Sequence, residues 1–401
     1  MKIDVMTKDK DTKTVVPALR FPEFRDGEGW IYQKGNIIFE QVSNKDHNSD
    51  LPILSITQEY GAIPRDMINY NVIVTEKSIE SYKVVEKGDF IVSLRSFQGG
   101  IEYSAYKGIC SPAYVILRNR KDISHLFYAQ YFKSTQLIND LNKSLEGIRD
   151  GKMVSYKQFS EILLPYPPKT EQTMIGDCLS SLDDLISAVA DKIETLKEYK
   201  KGLMQQLFPA EGKTTPAIRF PEFQNAGEWE ESTLGDICDM QAGKFVSASE
   251  ICDVKKDTMY PCYGGNGLRG YTHSFTHFGI YPLIGRQGAQ CGNITYAEGK
   301  FHATEHAVVV TLKKDIDIRW LYYQLIKLDL NQYATGQAQP GLSVDVIKKV
   351  TIRIPKNKNE QQLIACGLFS VDELISTETA KLDQLKAHKK GLMQQLFPKI
   401  Q

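Results

Sequence analysis

The chain lacks an excess of charge of either sign. Forty-nine Lys and Arg residues balance 49 Asp and Glu, so the formal net charge is zero. No global basic field therefore announces nucleic acid, which argues against a non-specific DNA coat. A sequence reader, or a subunit that shares the work with a basic partner, stays open. Paired cysteines are also missing. The seven cysteines (Cys110, Cys178, Cys238, Cys252, Cys262, Cys291 and Cys366) are odd in number and contain no CxxC pair. They read as reduced thiols, not as a disulfide framework or a zinc ribbon. No apolar run reaches membrane-spanning length. The opening MKIDVMTKDKDTKT has no apolar core for a signal peptide, and a cytoplasmic location is the expectation.

Catalytic signatures are absent in the same way. There is no GxGxxG after a strand, no Walker lysine loop and no GxSxG. No Asn/Asp-Pro-Pro-aromatic motif of amino-methyltransferases and no nuclease-like acidic cluster stands out. The GGNG at Gly264–Gly267 has no Lys-Ser/Thr pair opening a helix after it. It reads as a turn or a DNA-facing loop. His273 and His277 are four apart, as are His302 and His306, with Cys262 and Cys291 nearby. Zinc needs a convergent, closed ligand set. The surrounding glycines suggest strands and loops, so no metal site is expected.

What the chain does contain is itself, twice. KKGLMQQLFP at Lys200–Pro209 returns letter for letter at Lys389–Pro398, 189 residues later. The same offset relates Glu171-Gln172 to Glu360-Gln361, and LSSLDDLIS from Leu179 to LFSVDELIS from Leu368. PALRFPEF at Pro17–Phe24 returns as PAIRFPEF at Pro216–Phe223, and Trp30 maps onto Trp229. Such a repeat is read before anything else. Each unit has a near-identical opening, a divergent middle and a near-identical helical close.

The middles read as mixed β structure broken by glycines, with helical patches such as Ile123–Leu145 and a last strand expected at Phe159–Leu164. KGDFIVSLRSFQGG at Lys87–Gly100 aligns with FGIYPLIGRQGAQ at Phe278–Gln290, matching Gly88 to Gly279 and Arg95 to Arg286. A shared frame with different surface chemistry follows. After each middle the period becomes helical. Leu182, Leu185, Val189, Ile193, Leu196, Leu203 and Leu207 form one stripe; Val371, Leu374, Leu382, Leu385, Leu392 and Leu396 form the other. Each helix of about thirty residues would be roughly 40 Å long. Its cheapest partner is the other copy, in an antiparallel coiled coil. Gly202 and Gly391, inside these helices, suggest either a close helix approach or a loose helix end.

The fold class expected is α+β, with a pseudo-two-fold internal repeat. Residues 1–16 form a polar extension, 17–168 a first reading domain, 169–209 a helical region, 210–354 a second reading domain and 355–401 a second helical region. Reading bases requires paired donors and acceptors: Arg for guanine, Asn or Gln for adenine. The first domain offers Gln58, Arg65, Arg95, Gln98, Arg149 and Lys152; the second offers Lys244, Asn266, Arg269, Arg286, Gln287, Gln290, Asn293, Gln337 and Gln339. Solvated loops are the bland alternative for any one of them.

With its paired openings, paired Trp starts, EQ-led helices and GLMQQLFP closes, the chain resembles the specificity subunits of Type I restriction-modification systems over essentially its whole length. The resemblance implies two target-recognition domains alternating with two helical regions. It implies a non-catalytic subunit that reads a split, asymmetric target in double-stranded DNA and docks two methyltransferase subunits and restriction subunits. S-adenosylmethionine, ATP and Mg2+ would belong to those partners, with none in this chain. An enzyme with an unrecognised centre and a protein- or glycan-binding assembly scaffold are the competing readings.

Overall fold

The computed structural model describes residues 14–48, 50–68, 79–92, 100–143, 154–288, 290–336 and 340–398. The chain divides into two compact units. Unit 1 comprises residues 1–189 and 381–401, and unit 2 comprises 190–380.

In unit 1 the Trp-led segment forms β1 (Ile31–Lys34), followed by β2 (Phe39–Val42), β3 (Leu54–Thr57), β4 (Gly61–Pro64), β5 (Lys83–Val85), β6 (Phe90–Val92), β7 (Ile101–Tyr103), β8 (Gly108–Cys110), β9 (Val115–Asn119) and β10 (Leu163–Tyr166). The central sheet runs β2-β9-β6-β7, all antiparallel. Side chains alternate across a strand, and two cores result. Phe90, Val92 and Leu117 face an aromatic cluster of Trp30, Phe39, Phe127, Tyr128, Tyr131 and Phe132. Ile91 and Ile116 face Leu54, Ala62, Val85 and Cys110. The expected helical patch is two helices, His125–Phe132 and Thr135–Lys143. The last strand expected at Phe159–Leu164 begins later, at Leu163, because Tyr156–Glu161 is a capped helix. Ser155 and Gln158 close a capping box before it, and β10 follows, pairing with β1.

Unit 2 repeats this plan. β11 (Glu230–Thr233) pairs with β18 (Thr351–Ile354), as β1 does with β10. Between them lie β12 (Cys238–Ala242), β13 (Tyr260–Gly264), β14 (Gly267–Thr272), β15 (His277–Gly285), β16 (Ile294–Ala303) and β17 (Ala307–Leu312). They make one sheet in the order β12-β17-β15-β16-β13-β14, antiparallel except for β13 beside β16. Ile284, Val308 and Val310 face the main core with Trp229 and Trp320, whereas Leu283, Ala307 and Val309 face a second cluster around Phe301.

Two helices of 39 residues, Lys169–Leu207 and Lys358–Leu396, contribute to both units. They are longer than the stripe suggested, because the EQ doublets already lie in their first turn. Within unit 2 the helices run antiparallel. Lys192 bonds Glu378 at 2.5 Å and Lys200 bonds both Asp372 oxygens at 2.7 and 2.8 Å, so one number rises as the other falls. Within unit 1, Lys389 holds Asp183 at 2.5 Å. Every position in steps of four and three from Ile175 to Leu207, and from Ile364 to Leu396, is buried or half-buried. That heptad corrects the expected stripes at two places. Leu185 and Leu374 are exposed, 43% and 51%, and the next residues, Ile186 and Ile375, take the inward register. Leu207 and Leu396 also serve elsewhere than in a helix seam, for they belong to the globular cores.

The repeated letters can now be read as contacts. Arg20 makes a bidentate pair with Glu171 at 2.7 and 2.8 Å, and Arg219 makes the same pair with Glu360 at 2.6 and 2.8 Å. All four side chains are buried or nearly so. Gln172 accepts from the backbone N–H of Ser124 and donates to the Pro167 carbonyl; Gln361 accepts from Asp317 and donates to Pro355. Each EQ doublet thus locks a helix start to the globular part of its unit. The decamer locks a helix end. Phe397 packs on Phe127 and Tyr131, with Leu19 N–H donating to Gln395 O. Phe208 packs on Trp229 and Trp320, with Ile218 N–H donating to Gln206 O. Gly202 and Gly391 meet nothing within 4 Å of an added Cβ, so no close helix approach explains them.

Candidate nucleic-acid interface

In unit 2 the end of β12, the β13–β14 turn, the β15–β16 connection and the β16–β17 turn converge. The backbone fits so closely that a Cβ on Gly285 would sit 1.9 Å from Gly265 O. Only glycine permits that approach. Arg286 N–H donates to His306 O at 2.9 Å, and Lys244 N–H donates to Ala303 O at 2.8 Å. Asn293 Nδ2 lies 3.4 Å from Asn266 Oδ1. Asn293 N–H donates to Gln290 O, and Leu342 N–H donates to Arg286 O. Gln287 bridges to Gly341. Arg269 reaches back along β14, its Cδ 3.7 Å from a Cβ placed on Gly264.

Seven of the expected readers are therefore brought together: Lys244, Asn266, Arg269, Arg286, Gln287, Gln290 and Asn293, all exposed. Gln337 and Gln339 lie outside the described residues, though Pro340–Leu342 beside them pack against Arg286–Gly288. Beneath Gln290 and Asn293 opens a groove of about 590 Å3, bounded by Ile326, Asp329 and Asn331. Among the described residues the side chains of Lys244, Arg269 and Arg286 form no ion pair. Cations left without an internal partner are available to phosphate or to base edges.

The histidines are engaged in hydrogen bonds and ring contacts. His302 is buried, holding the Ser274 hydroxyl through Nδ1 and the Lys244 carbonyl through Nε2. His277 stacks on Phe301, and burial, with His302 and Lys244 adding to it, depresses its pKa below the usual imidazole value. No group of three or more His, Cys, Asp or Glu among the described residues could hold an ion.

In unit 1 fewer of the expected readers fall among the described residues. Arg95, Gln98, Arg149 and Lys152 lie outside the described residues. Gln58 is exposed at the β3–β4 turn, and Lys133 Nζ donates to its carbonyl at 3.1 Å. Arg65 sits at the far end of that hairpin, half-buried, so the two are not brought together. A residue that sequence reading missed lies behind Gln58. Glu102 is 1% exposed and 3.6 Å from Lys133. Burial pushes its carboxyl up to about 7, against the opposing pull of Lys133. Unit 2 also presents an unexpected aromatic and cationic group, with Lys300 over the Phe275 and Tyr260 rings, and Phe245 standing at the edge of the reader cluster. Nothing in the hydropathy pattern separates these aromatics from core residues.

A family model described as the Type I restriction modification DNA specificity domain matches residues 30–198 and 226–387, one copy per repeat. The chain belongs to this family. As a specificity-domain protein it is similar to the Type I restriction enzyme EcoprrI specificity subunit of Escherichia coli, 39% identical over 161 residues, or 40% of each chain. It is also similar to the Type I restriction enzyme MjaVIII specificity subunit of Methanocaldococcus jannaschii, 28% identical over 81% of each chain. Its fold is that of the Type I restriction-modification S subunit from M. genitalium, with a TM-score of 0.66, 16% identity, and coverage of 96% of this chain and all of that one. No helix among the described residues is long and apolar enough to cross a membrane.

Proposed function

We propose that this chain is the DNA-specificity subunit of a Type I restriction-modification complex, reading an asymmetric, two-part target in double-stranded DNA. The observation that carries the reading is the convergence of seven exposed Arg, Lys, Asn and Gln side chains on one end of the unit 2 sheet. Residues 17–168 and 210–354 act as the two readers. Their reading loops carry different side chains, so the half-sites differ and the target is not a palindrome. The helical regions dock two methyltransferase subunits and, where present, restriction subunits, and their length sets the spacing of the half-sites. The chain is non-catalytic and works in the cytoplasm. S-adenosylmethionine, ATP and Mg2+ serve the partners. Zero net charge suits a subunit whose partners supply part of the phosphate contact and of its salt dependence.

The test is to co-express the chain with its methyltransferase partner and map adenine methylation across a genome. A split, asymmetric motif methylated in both halves is expected. A stable complex that leaves DNA unmodified and binds all duplexes equally would reject the reading. Arg286→Ala or Gln287→Ala should relax selectivity in one half-site by about 1–3 kcal/mol if either makes a bidentate base contact. Equal losses on every sequence would assign the residue to phosphate.

A further inference from the structure

Phe245 is 75% exposed, beside the reader cluster. A lone exposed aromatic is ordinary. What distinguishes this one is how firmly the chain around it is held. Gly243 N–H donates to Ala307 O, and a Cβ on Gly243 would lie 2.1 Å from Ala303 O. Both backbone groups of Lys244 are bonded, its N–H to Ala303 O and its carbonyl to buried His302. Val246 is buried. Ser247 then caps the following turn through a capping box with Glu250. The ring is thus projected outward from a segment fixed on both sides. It flanks the Ala303–Ala307 turn, whose His306 carbonyl receives the Arg286 N–H.

Arg and Asn/Gln edges can recognise guanine and adenine, but the pyrimidine 5-methyl group needs an apolar contact. None of the seven readers is apolar; the exposed large apolar side chains next to them in sequence are Phe245, 75% exposed, and Leu268, 52% exposed, and Phe245 is the more exposed. We infer that Phe245 is a specificity-determining residue that reads the 5-methyl group of a thymine in the half-site bound by unit 2. Gly243, the Lys244 backbone and His302 are its positioning groups. The ring loses solvent against the methyl, and the neighbouring Lys244 ammonium is placed to meet the flanking phosphate. The inference rests on the DNA-specificity reading above.

The experiment uses the full chain with its methyltransferase partner and the duplex that methylation mapping identifies. The unit 2 half-site is the one whose selectivity Arg286→Ala relaxes. Each thymine in it is replaced in turn by deoxyuridine, which removes only the methyl. Wild type should lose about fourfold in affinity at one position, the value of one buried methyl group. Phe245→Ala should bind the thymine and uracil duplexes equally, and Phe245→Leu should restore part of the difference. Unfolding curves matching wild type show that the variants fold. A wild-type complex indifferent to every thymine-to-uracil change overturns the inference, as does a Phe245→Ala complex that keeps the wild-type ratio. Both results leave sequence-selective binding standing. Loss of selectivity in the wild-type complex itself would instead remove the reading beneath it.

Discussion

Two glutamates at the start of the long helices are each held, buried, in a bidentate pair with an arginine. Glu360 accepts two bonds from Arg219 and lies 3.3 Å from the Trp229 indole nitrogen, with almost no exposure. Removing one partner of a buried pair leaves an uncompensated charge, so Arg219→Met should destabilise unit 2 by about 3–5 kcal/mol. Arg20→Met should do the same to unit 1. Denaturant unfolding followed by Trp fluorescence measures both, and a loss under 1 kcal/mol would place the pairs outside the cooperative core. Glu102 gives a second residue-scale expectation. Its carboxyl titrates at about 7 when folded, against an ordinary 4.5. Between those values Glu102 binds more protons in the folded chain than in the unfolded one, so its contribution to stability is full below about pH 4.5 and is lost as pH rises through 7. Glu102→Gln should flatten that slope, and an unchanged slope would exclude Glu102 as its source.

At the scale of elements, the helices show how polar groups sit in an otherwise apolar heptad. Lys200 occupies an inward position and is satisfied by Asp372, which also accepts from the Tyr323 hydroxyl. Lys389 does the same with Asp183, which accepts from Gln130. Such pairs specify register more than they stabilise. Lys200→Asp should weaken unit 2, and adding Asp372→Lys should recover part of the loss, with a coupling of about 0.5–3 kcal/mol in a double-mutant cycle. Gly202 and Gly391 have open space around a Cβ, so alanine at either should stabilise by about 1 kcal/mol, read as a higher denaturation midpoint. The decamers, the EQ doublets and the RFPEF openings were legible because each makes the same contact twice, and identity of contact preserves identity of letters. The heptad register was half legible. Leu185-Ile186 and Leu374-Ile375 each present two apolar neighbours, and only packing decides which turns inward. The Tyr156–Glu161 helix was missed because Phe159–Leu164 has strand-like composition, while the capping box that decides it lies just upstream. The seven polar residues that unit 2 brings together were legible as types, since glycine-flanked Arg, Asn and Gln concentrate there. The exposure of Phe245 beside them was not, because exposure is a property of the folded surface.

On the scale of the whole molecule, two copies of one plan are closed in different ways. Unit 1 takes its last core residues, Leu396 and Phe397, from a segment more than 180 residues beyond its own helix start. A chain shortened to end at Ala380 should therefore leave Phe127 and Tyr131 uncovered. Unit 1 should then be protease-sensitive while unit 2 keeps a native melting transition; equal resistance of both would contradict this. Unit 2, by contrast, is continuous in sequence from 190 to 380. On the ribosome, where domains generally fold in order of appearance, the order here is inverted. The unit begun first must wait for residues 381–398, so the second unit can be complete while the first still lacks the aromatic plug that closes it.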